Sequence, residues 1–139
     1  MKKLLENDEE DRSFIEVRAA GSILHDFYSG IEKIFRRVAV AMDNKLPKNE
    51  DWHKELLSQM AEPIIGIRDN FISKGLMTKL KEYLRFRHFF RNIYGFELKW
   101  NKIKPLCSNL ENIFGNLKQE IFEFLKNIEK EESNKNSDF

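Results

Sequence analysis

The sequence has little of what would cross-link or interrupt a chain. Its 139 residues include one cysteine, three prolines and six glycines. With Cys107 alone, no intramolecular disulfide can form, which is typical of proteins from a reducing compartment. Because helix-breaking residues are few, long helices are favoured. These shortages exclude a small disulfide-stapled domain, and Cys107 is expected to be a buried small hydrophobe.

Long apolar runs and a strong excess of one charge are also missing. No apolar stretch approaches the ~20 residues that a membrane-spanning helix needs. Residues 1–11 become acidic after two leucines, unlike a secretory signal peptide. We therefore expect a soluble cytoplasmic protein. Charged residues make up 34% of the chain, yet the net charge is +1, so any nucleic-acid site must be a local patch.

Apolar residues that recur every three and four positions predict an all-α protein. The three stripes are Ala20, Ile23, Leu24, Phe27, Ile31, Ile34, Phe35, Val38 and Met42; Leu76, Leu80, Tyr83, Leu84, Arg87, Arg91 and Tyr94; and Ile113, Leu117, Ile121, Phe124, Leu125 and Ile128. A shorter helix is expected around Trp52, with Asn49 or Asp51 as its cap. The sum is a bundle of four or five helices.

Turn-forming and polar residues set the expected boundaries. The helix with the second stripe should begin between Ser73 and Leu76 and end at Gly95, a favourable C-terminal residue. A final helix or helix pair carries the third stripe. We expect a single domain over 1–130, followed by a polar, disordered tail at 131–139.

The chemistry concentrates in residues 83–96, where every cation is an arginine or a histidine beside an aromatic ring. Arginine presents a planar fork that matches phosphate oxygens, and histidine transfers protons near neutral pH. Helical spacing places Arg87, Arg91 and Tyr94 on one face. The segment therefore predicts a site that handles phosphate, most plausibly RNA, with Arg91 and Arg85 as phosphate contacts.

Two parts of the chain resemble a known superfamily. Residues 87–94 fit the HEPN motif of Arg, four residues, His, any residue, Tyr, except that Asn92 occupies the histidine position. Residues 24–35 and 52–57 look like the first helical hairpin of the HepT-like toxins. The resemblance implies an up-and-down HEPN-type bundle that forms a two-fold homodimer, with a metal-independent endoribonuclease site at the dimer cleft and no cofactor.

The same resemblance implies a partner. In HepT-like toxin–antitoxin modules, a nucleotidyltransferase encoded nearby acts as the antitoxin. It can transfer AMP onto the motif tyrosine, which corresponds to Tyr94 here. An added phosphate beside Arg87 and Arg91 would neutralise the site.

Metal-free RNA cleavage needs a base, an acid and a cation that stabilises the phosphorane. Arg87 suits the cationic role, and Tyr94 completes the motif. Asn92 cannot accept a proton, so it can only orient phosphate or water. His88 is the obvious substitute, although it could instead cap a carbonyl or pack on a phenylalanine. The expected catalytic set is Arg87, His88, Asn92 and Tyr94.

Other polar residues have competing interpretations. His25, Asp26 and Glu32 share one helix, where Asp26 or Glu32 would be the counter-charge of a buried arginine, or all three would form a solvated face. His53, beside Trp52, is expected to be an aromatic packing element. The three histidines lack metal-ligand spacing.

Four phenylalanines lie in or beside the motif, namely Phe86, Phe89, Phe90 and Phe96. They could stack on bases, but a hydrophobic dimer core is the favoured interpretation.

Three functional hypotheses follow. The chain is a HepT-like endoribonuclease acting on RNA or tRNA, or a catalytically weakened relative. Alternatively, it is a non-catalytic helical module that binds a nucleotidyltransferase in an antitoxin or substrate-binding role. The third is a helical dimer whose arginine–carboxylate pairs are only structural.

Overall fold

The computed structural model describes residues 13–92 and 98–137, and this part of the chain is all-α. Its four helices are α1, Phe14–Val38; α2, Trp52–Met60; α3, Lys74–Arg91; and α4, Trp100–Ser137. A π-helical turn, Ala39–Asp43, extends α1. The predicted all-α bundle is confirmed. Within the described ranges, no helix is long and apolar enough to cross a membrane.

Helices α1 and α3 form the centre of the bundle, because each of them packs against the other three helices. Ser13 caps the start of α1, where the Ser13 side-chain oxygen accepts a hydrogen bond from the Glu16 amide. Its buried face consists of Val17, Ala20, Gly21, Leu24, Tyr28, Ile31, Glu32 and Phe35. The predicted stripe was partly wrong, since Ile23 and Ile34 are exposed, whereas Tyr28 and Glu32 point inward.

Helix α2 begins where the sequence predicted it, but without a conventional side-chain cap. The Asn49 side-chain oxygen accepts a hydrogen bond from the Asp51 amide at 2.9 Å, and the Asn49 carbonyl accepts one from the Trp52 amide at 3.2 Å. The Asp51 side chain makes no capping bond. This closed turn places Trp52 and His53 at the first turn of α2.

Helix α3 begins within the predicted window. The Ser73 side-chain oxygen accepts a hydrogen bond from the Leu76 amide at 3.0 Å, and Glu120 of α4 accepts hydrogen bonds from both the amide and the hydroxyl of Ser73. The buried face comprises Leu76, Leu80, Tyr83, Leu84, Phe86, Arg87 and Phe90. The helix ends at Arg91, and the predicted stop at Gly95 lies outside the described residues.

Helix α4 is one continuous helix of 38 residues. Its inward side includes Ile103, Cys107, Ile113, Leu117 and Phe124. Leu125, predicted to be in the stripe, is exposed. Burial raises the pKa of the Cys107 thiol to about 11, which fits the predicted small hydrophobe. Residues 131–137, predicted to be disordered, continue the helix, and the side chains of 131–135 are exposed.

A buried ion pair ties the end of α1 to the loop between α2 and α3. The Arg68 guanidinium donates from Nε and Nη2 to the two carboxylate oxygens of Asp43, at 2.5 and 2.8 Å. It also donates to the carbonyls of Gln59, Glu62 and Asp69. Burial opposes the charged form of Asp43, but the hydrogen bonds from Arg68 and Gln59 outweigh it and lower the Asp43 pKa.

Candidate functional site

Arg87 of α3 is buried, and its main partners come from α1. Only 9% of its surface is exposed. Arg87 Nε donates to the Ser29 hydroxyl at 3.2 Å, and Arg87 Nη2 lies 3.8 Å from Glu32 Oε1. Of the two predicted counter-charges, Glu32 therefore takes the role. Asp26 is instead exposed beside His25, with their nearest side-chain atoms 3.4 Å apart.

His53 of α2 completes this ionic cluster. Its Nδ1 lies 2.6 Å from Glu32 Oε2. An unprotonated nitrogen would repel a carboxylate at that distance, so Nδ1 carries a proton and donates it to Glu32. In the neutral ring, Nε2 is then the unprotonated nitrogen. Arg87 Nη1 lies 3.5 Å from the same Nδ1. The two nitrogens are close but not hydrogen-bonded, because both are donors.

His53 also has the aromatic role that the sequence predicted. The rings of Trp52 and His53 are stacked, with centroids 3.6 Å apart and an angle of 29° between the planes. The Arg36 guanidinium lies over the Trp52 ring, 5.4 Å from the ring centroid. The stack fixes the plane of the imidazole, and the bond to Glu32 fixes its rotation. His53 is thereby held in one orientation.

His88 lies edge-on to His53. Their ring centroids are 5.1 Å apart and their planes are nearly perpendicular, at 87°. Partial burial, followed by repulsion from His53 and Arg87, lowers the pKa of His88, while Glu32 acts in the opposite sense. At neutral pH, the side chain is thus uncharged and able to accept a proton.

Tyr28 closes the apolar side of the cluster. The side chain is fully buried, and its hydroxyl has no hydrogen-bond partner. Burial and the nearby Glu32 carboxylate raise the Tyr28 pKa, so the phenol stays protonated at physiological pH. A neutral, dry wall of this kind strengthens the electrostatic interactions of the charges beside it.

Three predicted site residues lie apart from this cluster. Asn92 is the C-terminal cap of α3, where its side-chain amide donates to the His88 carbonyl at 2.8 Å. Arg91 is exposed. Arg85 is exposed and pairs with Glu82 at 2.7 Å. Tyr94 lies outside the described residues. The structure therefore brings together Arg87 and His88 of the predicted set.

The phenylalanines of α3 divide between core and surface. Phe86 and Phe90 are buried within the chain, with ring centroids 5.5 Å apart. Phe89 is about half exposed, at 47%. Phe96 lies outside the described residues. Phe86 and Phe90 therefore belong to the core of the single chain.

Sequence reasoning missed the polar role of His53 and the participation of Ser29. In the sequence, His53 lies 21 positions from Glu32 and 34 positions from Arg87, so no local spacing rule connects them. The available signal was a polar pair, Ser29 and Glu32, one turn apart on an otherwise apolar face of α1.

Comparison with known proteins gives one match. The family described as HepT-like protein matches residues 19–128, which include all of α2 and α3 and most of α1 and α4. No curated protein and no solved structure matches the chain.

Proposed function

Because this chain belongs to the HepT-like protein family, we propose that it is the HepT-like component of a toxin–antitoxin module and cleaves RNA without a metal ion. The observation that carries the proposal is the cluster of two histidines, a buried arginine and a buried carboxylate. The ring centroids of His53 and His88 lie 5.1 Å apart beside Arg87, and Glu32 contacts both His53 and Arg87. This set supplies a base, an acid and a cation.

His88 is the proposed general base. Its lowered pKa leaves it neutral, so it can take the proton from a ribose 2′-hydroxyl. The 2′-oxygen then attacks the adjacent phosphorus, and the bond from phosphorus to the 5′-oxygen of the next nucleotide breaks. The products are a 2′,3′-cyclic phosphate and a free 5′-hydroxyl.

His53 is the proposed general acid. In its protonated form, Nδ1 donates to Glu32, while Nε2 carries the proton that the leaving 5′-oxygen requires. The hydrogen bond to the Glu32 carboxylate holds the orientation of that ring. The base and the acid then return to their starting states by exchanging protons with water.

Arg87 is the proposed phosphate ligand. In the part of the chain that the structure describes, its Nη atoms make only long contacts, 3.5 Å to His53 and 3.8 Å to Glu32. These distances exceed those of a good hydrogen bond, so the Nη donors retain capacity for phosphate oxygens. Positive charge held in place before the reaction stabilises the phosphorane without costly rearrangement.

RNA cleavage in EDTA tests the proposal. We expect wild type to cleave, and His53→Ala, His88→Ala and Arg87→Ala each to lose at least about 10²-fold in rate, the usual effect of an acid, a base or a charge stabiliser. His25→Ala is the matched control, because His25 contacts Asp26 and Phe90 rather than the cluster. Full activity in both His53→Ala and His88→Ala would eliminate the mechanism.

A second function is favoured by two observations. Asn92, at the motif's histidine position, cannot transfer a proton, and Arg87 is already neutralised by Glu32. The chain would then be a non-catalytic homodimeric module that binds a nucleotidyltransferase encoded nearby, with Tyr94 as the acceptor of AMP. Co-purification with that protein, and intact-mass measurement after incubation with ATP, test the partner and the modification separately.

A further inference from the structure

A cleft of about 330 Å³ lies beside the cluster, between α2 and α3. Three cations line it, Lys54 from α2 and Lys81 and Arg85 from α3, and His88 belongs to its wall. Within residues 13–92 and 98–137, no carboxylate lines this cleft. It is therefore a basic surface within a chain whose net charge is only +1.

The two lysines are free to bind an anion. Both are exposed, and neither has a carboxylate partner among the described residues. Arg85 differs, because Glu82 offsets its charge at 2.7 Å. Lys54 and Lys81 therefore carry most of the uncompensated positive charge of the cleft.

The floor of the cleft is formed by apolar residues. Leu57 and Leu84 line it and are 1% and 3% exposed, so they belong to the protein core. These leucines offer a ligand almost no surface, so the charge of the lysines decides what binds in the cleft. A nucleotide phosphate carries the negative charge that the lysines need, and the volume is at the lower end of the range for small-molecule sites.

We propose that this cleft binds the nucleotide next to the scissile bond of a single-stranded RNA. The inference rests on the proposed function, because it uses His88 as the shared element between the cleft and the reacting cluster. A phosphate held by Lys54 and Lys81 places the neighbouring ribose against His88.

The cleft also affects the pKa of His88, the proposed general base. Groups facing His88 include His53, Arg87, Glu32 and Lys54, and Lys54 is among those that disfavour a proton on it. Working at about pH 8 keeps His88 neutral in every variant, so loss of a lysine reports on binding rather than on the protonation of His88.

The test is binding of a fluorescent single-stranded RNA across a series of salt concentrations. Its 2′-O-methyl groups prevent cleavage. For Lys54→Ala/Lys81→Ala we expect weaker binding and a salt slope smaller by about 1.4, the value for two lost contacts to a single strand. The control, Lys48→Ala/Lys79→Ala, removes two exposed lysines outside the cleft and keeps the wild-type slope.

The outcomes separate this inference from the proposed function. If wild type fails to cleave ordinary RNA but the cleft variant alone loses binding, the ribonuclease proposal falls and the cleft assignment stands. If cleavage occurs and the cleft variant keeps the wild-type KM and salt slope, the cleft assignment falls. Free AMP that competes as well as the oligonucleotide, mole for mole, would overturn the assignment to an RNA strand.

Discussion

His53 Nδ1 and Glu32 Oε2 lie 2.6 Å apart, joining the first turn of α2 to the C-terminal half of α1. The contact is largely shielded from water, since 13% of the His53 side chain and 6% of the Glu32 side chain are exposed. A carboxylate in this position selects the tautomer of the histidine and holds its ring.

Glu32→Gln tests that relationship. The amide can present its NH₂ group to Nδ1 and favour the opposite tautomer, so we expect kcat for RNA cleavage to fall by about 10²-fold or more with a smaller change in KM. Asp26→Asn, on the exposed side of the same helix, should retain activity. Equal losses in the two variants would show that a specific role for Glu32 is wrong.

The His88 pKa can be measured directly by NMR titration of the imidazole. We expect a value below 6.5 in wild type and a higher value in Arg87→Ala, because Arg87 is one of the groups that lower it. Cleavage by wild type should rise with pH through the same value, since the neutral ring is the base. A His88 pKa at or above 6.5 would contradict the assignment.

The same shift affects folding stability. His88 binds a proton more weakly in the folded state than in the unfolded state, so its contribution is complete above about pH 6.5 and is lost as pH falls toward the folded pKa. In chemical unfolding, wild type should therefore lose stability relative to His88→Gln as the pH falls through this window. Parallel stability profiles of the two proteins would argue against a lowered pKa.

Two glycines of α1 should respond in opposite ways to alanine. A Cβ at Gly21 would meet Phe90 Cε2 at 2.7 Å and Leu98 Cδ2 at 2.9 Å, whereas nothing lies within 4 Å at Gly30. We expect Gly21→Ala to destabilise by about 1–3 kcal/mol through overpacking. Gly30→Ala should stabilise by up to about 1 kcal/mol through helix propensity. Thermal unfolding of both variants measures the contrast.

Arg68→Ala should be among the most damaging single substitutions. It leaves the Asp43 carboxylate buried without its main donors, at a cost of about 3–5 kcal/mol in unfolding free energy. Arg85→Ala removes an exposed ion pair and should cost about 1 kcal/mol or less. Denaturant titrations of the pair check the difference, and similar midpoints would refute the structural importance of the buried bond.

Asn92→His restores the family motif and separates the two functional proposals. If His53 and His88 perform the proton transfers, the substitution should leave cleavage near wild type, because the Asn92 side chain is exposed and bonded to the His88 carbonyl. A silent wild type with activity in Asn92→His would instead favour the non-catalytic module.

Much of the fold could be predicted because it depends on local periodicity. The α3 stripe from Leu76 to Arg87 follows from spacing within one helix, and a buried Arg87 implied a counter-charge on another element. Spacing predicted the buried face of α1 less accurately. Ile23 and Ile34 lie beside the buried stripe, and hydrophobicity alone favoured them over Tyr28 and Glu32.

The site was harder to predict because it depends on how helices meet. Nothing local to His53 indicates Glu32 as its partner, since the contact exists only once α1 and α2 form a hairpin. Likewise, Asn92 occupies a motif position in sequence, but the end of α3 gives its amide a backbone carbonyl to bind. Motif order therefore drew attention to the end of α3, while packing decided which side chains share a cluster.

The Arg68 ion pair fixes the C-terminal end of α2, and the position of His53 at the other end depends on it. Arg68 holds the carbonyls of Gln59 and Glu62 at one end of the helix, and His53 stands about 9 Å away at the other. A tilt of about 10° around that pivot would move the imidazole by about 1.5 Å, enough to cost a large factor in rate. In the proposed mechanism, the position of His53 relative to His88 therefore depends partly on Arg68, at the far end of α2.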